Sequence, residues 1–173
     1  MTWQHRLILA LFFAVGLAAR ATAADLPAWT AKIRGDHPRL FVNADTWPAV
    51  RDRALGAELA WYRSVKARVD RLPQALAGAA EQPRELGPEA AWAAFVYRVT
   101  EDRRYLELAR KCLDASLRFY DDCYEKRKSV NWYSTSRVHA VMAWDWLYND
   151  LDEAERGALM SRLVTAVDRV LKA

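Results

Sequence analysis

Only two of the 173 residues are cysteine, Cys112 and Cys123. No set of cysteines and histidines at ligand spacing accompanies them, so no metal site is readable from the sequence and no cofactor is expected. A disulfide between the two stays open. One helix holding both would set them about 16 Å apart at the usual rise per residue, beyond bridging reach. A helix ending near Tyr120 would instead let Cys123 fold back. Three further motifs are missing: a Gly-rich phosphate loop, a Ser/His/Asp constellation and a pair of histidines at ligand spacing. Their absence removes the motif-based nucleotide, hydrolase and zinc-protease readings. A cationic block is lacking too. Arg63, Lys66 and Arg68 are interleaved with Glu58 and Asp70, so neither nucleic acid nor a membrane surface is indicated as a partner.

What the chain does have begins at its N-terminus. His5-Arg6 forms a short basic region, and Leu7 to Ala19 follows without a charge. That run is short of the roughly 20 apolar residues needed to cross a bilayer. Ala21-Thr22-Ala23 then offers the small side chains that a signal peptidase reads. A signal peptide over 1–23 is expected, with cleavage after Ala21 as the near alternative and an uncleaved anchor as the plain rival. The expected product, 24–173, is periplasmic or secreted and keeps no stable membrane anchor. Cleavage removes Arg6 and Arg20 and no acidic residue, so the formal charge of +4 drops by two, close to neutral.

The mature part reads as all-α after a short extended segment. Pro38 disfavours helix at His37, and Leu40, Phe41 and Val42 tolerate a strand. Asn43 is placed as the cap of a helix reaching about Leu55, with Pro48 tolerable only in its opening turn. A second helix is expected over Glu58 to Arg71, then a loop between Leu72 and Gly87. Pro88 suits the first turn of a helix carrying Ala91, Phe95 and Val99 on one face. Tyr105 to Tyr120 shows the clearest two-faced pattern, and Asp121 to Val130 reads as a charged loop. Ser134 or Thr135 opens an unusually apolar helix reaching Tyr148, and Asp152 caps the last one. Two helical hairpins thus occupy 88–120 and 134–171, a size found in stacked arrays and closed rings. Lys172-Ala173 carries no helix stop signal, which leads to the expectation of a longer parent chain.

Three stretches point to a family. His37-Pro38-Arg39-Leu40-Phe41 with the helix after it resembles the opening of heparinase II/III-type polysaccharide lyases. Ala143-Trp144-Asp145-Trp146-Leu147-Tyr148, followed by Leu151-Asp152-Glu153-Ala154-Glu155-Arg156, is similar to a signature of their helical ring. Tyr97 to Tyr105 is similar to the short turn between paired helices of those rings. The resemblance covers about residues 36–170. It implies an incomplete (α/α) toroid followed in the parent by a β-sandwich, with an acidic polysaccharide bound between them. The implied reaction is β-elimination at a uronic acid: a base takes the C5 proton, a neutralising group takes up the carboxylate charge, and the glycosidic oxygen leaves C4. No residue here matches the family's catalytic set, which is expected beyond Ala173.

Candidate substrate-binding residues are Trp132, Tyr133, Arg137 and His139, at the start of an inner helix. Aromatic rings there would stack on sugars, and an arginine would pair with a uronate in a two-point hydrogen bond. Each has a plainer alternative: packing for Trp132 and Tyr133, a hydrogen-bonded core histidine for His139, and an ion pair with Asp121, Asp122 or Glu125 for Arg137. Asp145 is a possible general acid, but acceptance of hydrogen bonds from a neighbouring loop or an arginine is the stronger reading. His37 is read as an anchor for the segment that begins the mature fold. Two other classes stay open: a non-catalytic carbohydrate-binding or scaffold module, and a helical-ring glycoside hydrolase, for which Asp145 and Glu125 would be the carboxylates.

Overall fold

The computed structural model describes residues 28–77, 85–129 and 135–171. The expected leader and the Trp132-Tyr133 pair lie outside those residues. The chain divides into two compact units, Met1–Gly35 and Asp36–Ala173. Within the first, Ala28–Lys32 forms a short 3-10 helix. The second holds six α-helices, and no strand forms among the described residues.

The segment read as extended is bent. Phe41 sits in the left-handed region at φ 65°, and its side chain is 79% exposed. The physical reason lies just upstream. The N–H groups of Arg39 and Leu40 both reach one carboxylate oxygen of Asp145 at 2.8 Å. Successive N–H groups of a strand point to opposite sides, so only a turned backbone can aim two of them at one acceptor.

Asn43 organises the turn ahead of the helix it was expected to cap, and the residue at the cap position is Thr46. Asn43 Oδ1 accepts from the N–H groups of Asp45 and Thr46, both at 3.0 Å, and the turn leads into α1 (Trp47–Leu55). α2 (Leu59–Ala77) outruns the expected end at Arg71 and contains Pro73 in its body. The missing N–H costs that helix one rung without ending it. α3 (Gly87–Thr100) has Pro88 in its first turn and is buried on almost every side. α4 (Arg103–Glu125) is capped by Asp102, whose Oδ1 accepts from the Arg104 N–H at 3.0 Å. It continues five residues past Tyr120, so the loop expected from Asp121 begins only after Glu125. α5 (Ser136–Leu147) runs into a 3-10 turn, Tyr148–Asp150. α6 (Glu153–Leu171) starts on Asp152, whose Oδ1 accepts from the Glu155 N–H at 2.8 Å.

α3 is the centre. It packs most heavily against α4 and α5, and α2 covers a further side. Small residues make this possible: Ala90, Ala93 and Ala94 of α3 and Ala140 and Ala143 of α5 are wholly buried. At the helix starts the approach is tighter still, since a Cβ on Gly87 would fall 2.0 Å from the Ser136 carbonyl oxygen. The Gly87 N–H donates to Ser136 Oγ at 3.1 Å, so α3 and α5 begin side by side. α4 and α6 likewise run the same way, because their ion pairs climb both helices together. Arg110 holds Glu155 at 2.7 Å, Asp114 holds Arg162 at 2.8 Å and Asp121 holds Arg169 at 2.8 Å. Residues 155, 162 and 169 are seven apart and therefore share one face. The two hairpins stand in matching orientation, with partners 45 to 49 positions apart in sequence.

Candidate functional site

Two clusters carry the polar chemistry. The first surrounds Asp145, which is 1% exposed on α5. Its Oδ1 lies 2.5 Å from His37 Nδ1, and its Oδ2 takes the Arg39 and Leu40 N–H groups. The His37 carbonyl accepts from Asn149 Nδ2 at 2.8 Å, and the Leu40 carbonyl accepts from Trp146 Nε1 at 3.0 Å. The imidazole stacks on Tyr148 at 3.7 Å, nearly parallel, and meets Trp144 edge-on at 5.5 Å. Above Tyr148 sits the Arg156 guanidinium, 4.6 Å from the ring centre.

This arrangement answers the general-acid question. The Asp145 carboxylate is enclosed, and every partner it has belongs to the segment folded over it. A buried carboxylate so satisfied pins the chain in place and has no face left for a substrate. The glycoside hydrolase pairing of Asp145 with Glu125 is set aside on the same ground. His37 is the anchor expected of it.

The second cluster lies where α3 and α5 begin. Tyr120, from the C-terminal half of α4, donates to Glu85 Oε1 at 2.8 Å. Burial pushes its phenol up to about 12, with the Ser136 hydroxyl pulling against the rise and the Glu85 carboxylate adding to it. The Arg137 guanidinium lies over the Tyr120 ring, 5.6 Å from its centre. Two of the three expected ion-pair partners of Arg137 are engaged elsewhere: Asp121 binds Arg162 and Arg169, and Asp122 binds Lys126 and Lys128. His139 faces differently. Its Nδ1 lies 2.8 Å from the Thr135 carbonyl, so that nitrogen carries the proton and the ring closes its own helix turn. Two positions along a helix place side chains about 160° apart around the axis. Arg137 and His139 are therefore not brought to one point.

Glu85, Tyr120 and Ser136 escaped the sequence reading. Glu85 lies in what looked like loop, and Tyr120 looked like the end of a helix. Only the Gly87-Pro88 pair hinted that a helix start there is crowded. The cysteines are settled by α4, which carries both. They are buried and free, held apart by the straight helix. Burial pushes the Cys112 thiol up to about 12, so it stays protonated and unreactive. Among the described residues no three His, Cys, Asp or Glu side chains gather to hold a metal ion. No helix among them is long and apolar enough to cross a membrane.

A scan against models of known families, a search of curated proteins and a search of solved structures each return no match.

Proposed function

We propose that this chain is the helical scaffold, and one wall of the cleft, of an exported polysaccharide lyase that acts on uronate-containing polysaccharide. One observation carries the reading. Two of the three stretches on which the heparinase II/III resemblance rests meet in space, His37 against Asp145 across 108 positions of sequence. Histidine and aspartate in those stretches thereby acquire a common physical task, the docking of the segment at His37 onto α5. The matching direction of the two hairpins adds support, because a closing (α/α) toroid is built from such steps.

Within this reading the starts of α3 and α5 border the cleft, and Arg137 pairs with a substrate carboxylate. Neutralising that carboxylate is what makes the C5 proton acidic enough to remove. The base takes that proton, the C4–O bond breaks, and a C4–C5 double bond forms while the leaving oxygen gains a proton. Both proton-transfer groups come from polypeptide outside this chain. Export is proposed from the leader.

The test uses the full-length gene product with heparan sulfate, chondroitin sulfate and alginate. The unsaturated uronate is followed by its absorbance at the ultraviolet edge. Absorbance growing with at least one polymer is expected, with a higher KM in Arg137→Ala. Silence with all three overturns the lyase reading.

A further inference from the structure

A pocket between α1, the start of α2 and Phe95 of α3 has no part in that reading. Val50, Arg53 and Ala54 of α1, Glu58 and Trp61 beyond the Gly56 turn, and Phe95 of α3 line an open hollow of about 320 Å³. Small-ligand sites have volumes of roughly 300–1,000 Å³. The floor is apolar and firm: Ala54 and Phe95 are buried, and Phe95 meets Trp47 and Trp61 edge-on at 5.9 and 5.8 Å. Trp61 itself is 55% exposed. A large indole surface is thus left in water, an arrangement that burial by a ligand would relieve.

The rim is polar and paired. Arg53 donates from Nη2 to Glu58 Oε1 at 3.1 Å. The turn holds both residues in place, since the Glu58 N–H donates to the Arg53 carbonyl at 2.7 Å and the Gly56 N–H to the same oxygen at 3.3 Å. A cationic donor and an anionic acceptor therefore stand together beside an exposed aromatic wall.

We propose that this pocket binds a neutral pyranose ring of a glycan. The C–H face of a pyranose carries slight positive charge and lies against the negative face of the indole. Two neighbouring ring hydroxyls serve the rim, one accepting from Arg53 and the other donating to Glu58. The pair is separated without stranding either charge. Charge also selects against an acidic ring, because Glu58 already offsets Arg53 and would face any incoming carboxylate. A second copy of the chain would cover Trp61 too, but a flat protein surface does not fill a pocket of this volume or divide the rim pair. The proposal stands apart from the lyase reading, and either can fail alone.

The test titrates the chain with cellohexaose, maltohexaose, xylohexaose and chitohexaose. Calorimetry gives the affinity, and the Trp61 indole N–H signal reports the location by NMR. Saturable binding of at least one is expected, with affinity lowered about tenfold in Trp61→Ala and in Glu58→Ala. Glu58→Ala leaves the aromatic floor intact and so guards against a folding artefact. No saturation with any of the four overturns the proposal, as does undiminished affinity in both variants. So does dimerisation that Trp61→Ala abolishes while no sugar binds.

Discussion

Asp145 has no water to fall back on. With 1% exposure it depends on His37 and two backbone N–H groups for every interaction a carboxylate needs. Removing one partner of such a buried pair leaves the other unpaired, which costs about 3–5 kcal/mol. Asp145→Ala is expected to lower unfolding free energy by about 3 kcal/mol in urea titration. Adding His37→Ala should then cost less than it does alone, because the contact is already gone. Fully additive losses would show that the two residues do not stabilise each other. Both roles were legible in the sequence. His37 reads as an anchor and Asp145 as an acceptor of hydrogen bonds, although the anchored segment itself reads as extended and is bent at Phe41. Their partnership was not legible, since local pattern carries no information about two positions 108 apart.

Helix ends were where sequence reading erred, and α4 shows why. It closes with the Lys128 N–H on the Cys123 carbonyl at 2.8 Å and the Arg127 N–H on the Tyr124 carbonyl at 3.2 Å. That double bond is the Schellman closure, which normally uses glycine at its left-handed residue. Here the position is held by Arg127 at φ 49°, so the stop signal is missing from the sequence and the loop was placed five residues early. The left-handed region costs a side-chain-bearing residue about 1 kcal/mol or more. Arg127→Gly is therefore expected to raise stability by up to about 1 kcal/mol, read as a higher melting temperature. A loss would mean that Arg127 contributes through its side chain. A second device joins whole helices: tyrosines that donate to carboxylates of other segments. Tyr97 reaches Asp150 at 2.7 Å, Tyr105 reaches Asp70 at 2.6 Å and Tyr120 reaches Glu85 at 2.8 Å. Burial, then the Asp150 carboxylate, pushes Tyr97 up to about 12 from an ordinary value of 10.0, and Tyr120 is likewise at about 12. Between those values the unfolded chain loses protons that the folded chain keeps. Stability is therefore whole below pH 10 and falls as pH rises toward 12. Urea midpoints measured across that window should drop, and the drop should shrink in the double variant Tyr97→Phe, Tyr120→Phe.

At the scale of the molecule, the apolar stripes in the sequence were enough to give the order of the helices and the two hairpins. The layering came from features that a stripe does not show. α3 is central because alanines and Gly87 let neighbours approach on several sides. α6 touches mainly α4 through partly exposed ion pairs and lies more lightly on α5. Beyond that contact, Val164 is 57% exposed, Val167 45% and, on α5, Val138 55%. An apolar groove lined by Val141, Met160 and Leu163 runs between α5 and α6. Such an uneven structure should not open all at once, because local stability follows buried apolar contact. Amide hydrogen exchange is expected to be slowest in α3, at Ala93 and Val96, where only global unfolding exposes the backbone. The amides of Val164 and Val167 should exchange at least about tenfold faster, through detachment of α6 alone. Equal protection along α3 and α6 would mean that the valine face is covered in solution.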